Sequence, residues 1–257
     1  MQKYKAYDTL HFTTRANPWK RPLKHLMKHS GKFITFEGLD GCGKSTQLDR
    51  EASRLRQEGC PVVTTQEPGG TATGRKIREI VLHASAHPLS ASTELALMFA
   101  ARSQHIEEVI LPALHAGKIV LCDRFTDSSV AYQGYGRGIA PDAIRTLEDL
   151  FCRGLRPDLT IILDIDPATG MTRARARNRA AQEKETRFEE EGLEFFRRVR
   201  QGYAEIARRE PGRVRLIDGK GSVDEVHLKV HQEVHERVRK VADAFLKAGS
   251  SGGVSGV

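Results

Sequence analysis

The sequence contains few cysteines and few long apolar runs. The four cysteines among 257 residues form no CxxC or Cys/His pattern, which excludes the common cysteine-containing zinc sites and favours a reduced, cytoplasmic setting. The longest apolar runs, such as residues 159–165, are far shorter than the roughly 20 residues of a membrane span. The ten histidines form no HExxH or similar ligand pattern, and we interpret them as surface or packing residues.

The net positive charge is also small outside one end of the chain. Of the net charge of +8, residues 1–30 carry +6, from seven lysine and arginine residues against one aspartate, which leaves +2 for residues 31–257. A nearly balanced body does not predict a nucleic-acid partner. We expect three parts: a basic disordered extension (1–30), one domain (31–247), and a flexible tail rich in glycine and serine (248–257).

Between the two ends, short apolar runs alternate with longer segments of helical period. This alternation is typical of an α/β fold with a parallel sheet covered by helices. The predicted strands are residues 33–37, 61–65, 118–122, 159–165 and 213–217. The predicted helices lie near residues 44–58, 74–83, 92–116, 141–153, 167–181, 189–209 and 222–247.

A phosphate-binding motif follows the first predicted strand. Residues 38–45, GLDGCGKS, fit GxxxxGK[ST] and precede a helix. Backbone N–H groups of such a loop surround phosphate oxygens, while Lys44 reaches the β- and γ-phosphates and Ser45 can ligate Mg²⁺. The motif predicts ATP as a ligand. The residues expected to contact it are Gly38, Leu39, Asp40, Gly41, Cys42, Gly43, Lys44, Ser45 and Thr46.

An acidic residue ends a second strand of the same predicted sheet. Asp123 follows the apolar run of residues 118–122, and Arg124 comes next. Since carboxyl ends of parallel strands lie at one edge of the sheet, Asp123 is a candidate Mg²⁺ ligand together with Ser45. Arg124 would supply a fixed cation for an arriving phosphate.

Five segments, in order and spacing, resemble the bacterial thymidylate kinase family over about residues 31–245. They are GLDGCGKS (38–45), EPGGT (67–71), FAAR (99–102), DRF (123–125) and AYQG (131–134). The resemblance implies a three-layer α/β/α P-loop NTPase fold with a five-stranded parallel sheet and a helical lid. It also implies phosphoryl transfer from ATP–Mg²⁺ to dTMP. The family is commonly a homodimer joined through helices, and the helix near 92–116 is the candidate for this interface.

The resemblance assigns roles to individual residues. Asp40 faces the sugar 3′-hydroxyl, Tyr132 crowds out a ribose 2′-hydroxyl, and three residues bond the thymine edge: Arg102, Ser129 and Gln133. Arg78 and Arg124 clamp the acceptor phosphate, which is a dianion that must approach ATP. The residues expected at the dTMP site are therefore Asp40, Arg78, Met98, Phe99, Arg102, Arg124, Ser129, Tyr132 and Gln133.

Two positions depart from the family pattern. The family usually has an arginine before EPGG, where this chain has Gln66, so one cationic contact is absent. The aromatic residue that stacks on thymine commonly lies where this chain has Met98, with Phe99 adjacent. The sequence leaves open whether Met98 or Phe99 covers the base.

The expected lid carries the arginines that the phosphate loop lacks. Phosphoryl transfer needs cations near the transferred group, yet neither Gly41 nor Cys42 provides one. The segment 171–179 resembles the arginine-bearing lid of the bacterial type, within a lid of about residues 171–188, and residues 181–186 form a lengthened tip. Arg177 is the first candidate for the catalytic cation, and the other candidate catalytic residues are Lys44, Arg124 and Asp40. The alternative lid arginines are Arg173, Arg175 and Arg179.

Two other functions remain open from the residues alone. A kinase of another nucleoside monophosphate or of a deoxynucleoside would share the loop but not the Arg102 and Tyr132–Gln133 set. A P-loop nucleic-acid-binding NTPase would suit the basic extension but not the balanced body. We therefore expect dTMP and ATP as partners and neither nucleic acid nor membrane.

Overall fold

The computed structural model describes residues 29–82, 89–181, 187–188 and 191–250, with side chains omitted for residues 181 and 240–250. Five parallel strands form one sheet in the order β2-β3-β1-β4-β5. The strands are β1 (Lys32–Gly38), β2 (Val62–Gln66), β3 (Ile119–Asp123), β4 (Leu159–Asp164) and β5 (Val214–Asp218). All five predicted strands are present, with ends shifted by at most one residue.

Eight helical elements connect and cover the described strands. Two of them include a π-helical stretch: α3 comprises Ala91–His105, Ile106–Ile110 and Leu111–His115, and α4 comprises Thr126–Ser129 and Val130–Gly136. The others are α1 (Lys44–Gln57), α2 (Ala72–Leu82), α5 (Pro141–Phe151), α6 (Pro167–Ala181), α7 (Leu193–Arg209) and α8 (Val223–Ser250).

The core consists of two apolar layers, one on each face of the sheet. Successive strand residues point to opposite faces, so Ile34 packs on the layer formed with α1 and α8, while Phe33 packs on the layer formed with α3. Phe195 and Phe196 of α7 cover the remaining part of the second face. The sheet with helices on both faces confirms the predicted fold class.

One helix was missed by the sequence analysis. No helix was expected between residues 124 and 140, where the structure has α4. Its sequence contains Asp, Ser and Gly residues of low helix propensity, and its π-helical part has the wider i→i+5 pattern, in which the Arg137 N–H donates to the Tyr132 carbonyl at 2.9 Å. Such turns are frequent at functional sites.

Some predicted features lie outside the described residues. These are residues 1–28 of the basic extension, residues 182–186 of the lid tip and residues 251–257 of the tail. Within the described part, no helix is both long and apolar enough to cross a membrane.

Candidate active site

The loop after β1 and the end of β3 meet at the carboxyl edge of the sheet. Phe36 of β1 pairs with Asp123 of β3, and α1 begins at Lys44, directly after the loop. Ser45 Oγ donates to Asp123 Oδ2 at 2.8 Å. The two residues predicted as Mg²⁺ ligands are thus in contact, although 78 positions separate them in the sequence.

The loop has the backbone expected of a phosphate-binding turn. Gly43 precedes α1 with φ = 97° and ψ = 12°, a left-handed conformation that favours glycine. Lys44 is buried, and its Nζ donates to the carbonyl oxygens of Gly38 (3.2 Å) and Leu39 (2.9 Å). The lysine therefore lies inside the loop, beside the helix N-terminus where a phosphate would bind.

Arg124 forms hydrogen bonds with several groups at this edge of the sheet. Its Nη2 donates to Asp40 Oδ1 at 2.8 Å and to the Tyr132 hydroxyl at 3.1 Å, and its Nη1 donates to the Gly38 carbonyl at 3.1 Å. Its backbone φ is 71°, which is uncommon and costly for a residue with a side chain. Such strain is found where a side chain must be aimed at a site.

Asp40 stays ionised because cations surround it. Its enclosed position alone would raise its pKa, but the charges of Arg124, Lys44 and Arg177 hold the pKa well below its usual range. The Lys44 ammonium lies 4.0 Å from Asp40 Oδ1. At neutral pH the carboxylate is therefore an acceptor for hydroxyl groups as well as a partner of Arg124.

A cavity opens beside Arg124 and collects most of the predicted acceptor residues. Its empty space amounts to about 810 Å³ when the open mouth is included. The predicted residues that line it are Asp40, Arg78, Met98, Arg102, Arg124, Ser129, Tyr132, Gln133 and Arg177. Other lining residues include Glu67, Pro68, Leu82, Ser128, Asn178 and Phe188.

Arg102 lies in the wall of the cavity and is fixed by three hydrogen bonds. Its Nε donates to Glu67 Oε2 at 2.7 Å, Nη1 donates to Ser129 Oγ at 3.1 Å, and Nη2 donates to the Phe125 carbonyl at 3.0 Å. Glu67 is held on its other side by His105 Nδ1 at 2.9 Å. A guanidinium has five N–H donors, so two are not used by these three bonds, and Arg102 lines the cavity.

Glu94 of α3 orients Gln133 from behind. The buried Glu94 carboxylate accepts from Gln133 Nε2 at 2.8 Å and pairs with Arg187 Nη2 at 2.6 Å and with Arg137 Nη2 at 3.2 Å. Because Nε2 is used by Glu94, the amide oxygen of Gln133 is the atom left to accept from a ligand.

The structure separates the two candidates for covering the base. Met98 lines the cavity, whereas Phe99 is fully buried in the core, where its ring lies 4.7 Å from the Arg102 guanidinium carbon and near Phe151. Phe99 therefore supports Arg102 from below and does not line the cavity. Phe188, at the end of the predicted lid, packs edge-on against Tyr132 with ring centroids 5.6 Å apart.

The lid helix α6 packs directly on the phosphate loop. An added Cβ on Gly41 would lie 2.3 Å from the Gly170 carbonyl oxygen and 3.1 Å from Arg173 Cβ, so the glycine permits this close approach. Arg177 lines the main cavity, while Arg175 lines a smaller one that includes Leu39 and Pro167. Arg179 Nε donates to the Arg175 carbonyl at 3.3 Å.

Three buried glutamates were missed by the sequence analysis. Glu37 accepts from the Phe125 N–H, Glu67 holds Arg102, and Glu94 holds Gln133. A carboxylate in an apolar run is a usable signal, since acidic residues are almost never fully buried unless paired; Glu37 directly after ITF shows this pattern. Nothing in the sequence near Glu94 identifies its partners, which are 39 to 93 positions away.

Comparisons with known proteins agree on one family. The family model described as thymidylate kinase matches residues 36–230. The chain is 49% identical over 218 residues to a thymidylate kinase of Pelobacter propionicus, covering 84% of this chain and 100% of that protein. It is 50% identical over 197 residues to one of Pseudomonas putida strain GB-1, covering 77% and 91%. A crystal structure of thymidylate kinase from Ehrlichia chaffeensis superposes with a TM-score of 0.64 at 36% identity, covering 80% of this chain and 98% of that one.

Proposed function

Since this chain belongs to the thymidylate kinase family and catalyses the ATP-dependent phosphorylation of dTMP to dTDP, we propose that the cavity beside Arg124 binds dTMP. The observation that carries this proposal is the convergence of three parts of the chain on that cavity. The phosphate loop contributes Asp40, the end of β3 contributes Arg124, and the lid helix contributes Arg177.

The thymine edge is recognised by Arg102 and Gln133. Thymine presents carbonyl oxygens and one N–H group, which match the remaining guanidinium donors of Arg102 and the amide oxygen of Gln133. Cytosine has an acceptor at ring position 3 and an amino group at position 4, so it would leave both protein groups unpaired. Such mismatches discriminate strongly, whereas the absent methyl group of dUMP is worth only about 1–3 kcal/mol.

The sugar and phosphate are recognised nearer the loop. Asp40 is ionised, and its carboxylate accepts from the 3′-hydroxyl of the sugar, while the Tyr132 ring blocks a 2′-hydroxyl. Arg78, whose Nη1 donates to the Pro68 carbonyl at 3.2 Å, and Arg124 flank the acceptor phosphate. Two guanidinium groups offset the repulsion between this dianion and ATP, so the two reactants can be held in line.

Ser45 and Asp123 would hold Mg²⁺, because a hydroxyl and a carboxylate oxygen in contact form the donor set that this ion prefers. When bound with ATP, Mg²⁺ supplies charge neutralisation at the phosphates. Lys44 binds the β- and γ-phosphates from inside the loop, and Arg177 meets the charge that spreads over the transferred group. The ATP site itself is the loop Gly38–Ser45 with Thr46.

Steady-state kinetics with Mg-ATP and a panel of acceptors tests the substrate assignment. The panel is dTMP, dUMP, CMP, UMP, AMP and thymidine. We expect dTMP to give the highest kcat/KM, dUMP to follow, and CMP to lie several orders of magnitude below. A better acceptor than dTMP would overturn the assignment of the cavity.

The role of Arg177 is tested by Arg177→Ala with Arg179→Ala as the matched control. Arg177→Ala should lower kcat by two orders of magnitude or more and leave the dTMP dissociation constant within a few-fold, because the lost interaction forms in the transition state. Arg179→Ala, two residues along the same helix, should keep near-normal turnover. Normal turnover in Arg177→Ala would assign the catalytic cation to another lid arginine.

The resemblance also implies a homodimer, and the cysteine usage favours a cytoplasmic setting. Light scattering of the purified enzyme at micromolar concentration should give twice the mass of one chain. A monomer with full activity would show that the site is complete within one copy.

A further inference from the structure

A cluster of histidine and glutamate side chains lies where the end of α1 meets the middle of α8. His231 and His235 are four residues apart on α8 and so share one face. Glu58, the residue that caps α1, faces both of them: its Oε1 lies 3.8 Å from His231 Nε2, and its Oε2 lies 3.9 Å from His235 Nδ1. Since α1 begins at the phosphate loop and is 14 residues long, the cluster lies ~20 Å from that loop.

We propose that Glu58, His231 and His235 bind a divalent transition-metal ion, for which zinc is the best match. One carboxylate oxygen and two imidazole nitrogens suit zinc, whereas Mg²⁺ and Ca²⁺ prefer oxygen ligands alone. Tetrahedral zinc with bonds of ~2.0–2.1 Å separates its ligand atoms by about 3.4 Å. The three ligand atoms here lie within 4.8 Å of one another, so small side-chain rotations complete the site.

A second carboxylate, that of Glu51, orients the His231 ring for metal binding. Glu51 of α1 has a fully buried side chain, and both of its oxygens lie 3.3 Å from His231 Nδ1. With the proton on Nδ1 donated to Glu51, the lone pair of the neutral ring is on Nε2, the atom that faces Glu58. A carboxylate behind a histidine ligand is the arrangement that orients metal-binding imidazoles in proteins.

The groups around the cluster favour Glu58 Oε2, His231 and His235 as the metal ligands. Arg54 Nε donates to Glu58 Oε1 at 2.6 Å, which leaves Oε2 for a metal. His227 lies one turn before His231, with ring centroids 6.2 Å apart. Burial and the charge of Arg50 lower the pKa of His227, and the ligand atoms that lie within 4.8 Å of one another are those of Glu58, His231 and His235.

His227→Ala is therefore the matched control for His235→Ala. The full chain, without a histidine tag and treated with EDTA, is titrated with ZnCl₂ by calorimetry and with CoCl₂ by visible absorption. We expect one ion per chain and Co²⁺ bands of tetrahedral intensity. His235→Ala and Glu58→Gln should each weaken Zn²⁺ binding at least tenfold, and His227→Ala should leave it within about threefold.

Glu51→Gln tests the positioning role of Glu51. The variant keeps a hydrogen-bonding group but removes the charge behind His231, so the Zn²⁺ affinity should fall by about 10–100-fold. Zn²⁺ should also raise the Tm of the wild type and not that of His235→Ala, since an ion that binds only the folded chain stabilises it.

Two results would overturn the proposal. One is a wild type that binds no stoichiometric Zn²⁺ at micromolar concentration, and the other is an equal loss of affinity in His227→Ala and His235→Ala. The dTMP kinase rate of each variant, measured with Mg-ATP, should stay within about twofold of the wild type. Because this rate reports the distant cavity, it separates a local loss of metal binding from a loss of fold, and its result does not depend on the metal site.

Discussion

At the scale of single residues, Glu37 is buried, and its pKa is raised to about 7. Its carboxyl group is fully buried and accepts from the Phe125 N–H at 2.7 Å and from the Tyr203 hydroxyl at 2.9 Å. Burial raises its pKa from 4.5 to about 7, and the nearby Asp127 adds to the shift. The folded protein therefore keeps a proton on Glu37 at pH values where the unfolded chain has lost it.

Glu37→Gln should change how stability depends on pH. A carboxyl whose pKa is raised by folding contributes stability that is fully present below its unfolded pKa of about 4.5 and is lost as the pH rises through about 7. The loss amounts to about 3 kcal/mol, at 1.36 kcal/mol for each pKa unit. The variant is neutral at every pH, so its free energy of unfolding relative to the wild type should increase from pH 4.5 to pH 8 in denaturant titrations. A constant difference would contradict the raised pKa.

Some contacts between individual residues could be predicted from the sequence, and others could not. The motif and the strand end place Ser45 and Asp123 at the same edge of the sheet, and the structure has them in contact. Whether Met98 or Phe99 lines the cavity depends on how α3 is rotated about its own axis. The sequence does not determine this rotation, because the two residues are adjacent. The partners of Glu94 come from α4 and the residue after it and from Arg187, all distant in the sequence, so no local pattern reveals them.

The histidines of α8 had a visible sequence pattern that was not interpreted as a site. They were interpreted as surface or packing residues because no HExxH pattern occurs. The sequence nevertheless has histidines at 227, 231 and 235, and a spacing of four on a helix places side chains on one face. The spacing was visible, but the facing carboxylates of Glu51 and Glu58 come from a helix about 180 positions earlier.

At the scale of elements, α6 packs closely against the phosphate loop. Gly41 lies against the Gly170 carbonyl, and an added Cβ on Gly170 would lie 2.8 Å from the Asp40 carbonyl oxygen. Gly41 also has φ = 76°, where a side chain is strained. An arginine at position 41 would therefore be strained and would also meet the backbone of α6.

Gly170→Ala should disturb this contact, with Gly192→Ala as the matched control. The new Cβ must push α6 away from the loop, so we expect a stability cost of about 1–3 kcal/mol and a fall in kcat/KM for dTMP of about tenfold or more, since small misplacements of catalytic groups are costly. Gly192 precedes α7 with nothing within 4 Å of an added Cβ and no left-handed φ. Its variant should match the wild type in both unfolding and kinetic measurements; if Gly170→Ala does as well, the contact is not needed for catalysis.

The predictability of the elements follows their periodicity. The strands and the long helices have clear apolar patterns, and all were placed within a few residues. The helix α4 has no clear apolar pattern and is instead stabilised by packing on α7. An added Cβ on Gly202 would lie 2.8 Å from the Tyr135 ring, and one on Gly136 would lie 2.6 Å from the Phe195 ring. Tertiary contacts thus form a helix that local propensity does not favour.

At the scale of the whole molecule, the chemistry and the charge are in different parts of the chain. Every residue assigned to the ATP and dTMP sites falls between residues 38 and 177, and the family match spans residues 36–230. A thymidylate kinase of Pelobacter propionicus is matched along its entire length by 218 residues of this chain. Most of the net positive charge, by contrast, comes from residues 1–28, which carry seven basic residues and one aspartate.

Deletion of residues 1–28 should therefore separate catalysis from affinity for polyanions. The shortened chain loses six of its eight net charges, so its elution from heparin should move to much lower salt, because such binding depends on the number of released counterions. Its kcat/KM for dTMP should stay within about twofold of the full chain. Deletion of residues 251–257, which contain no charged side chain, is the control and should change neither property. Retention on heparin that survives the first deletion would instead assign the polyanion affinity to the arginines of α6, and a loss of kinase activity would make the basic segment part of the catalytic unit.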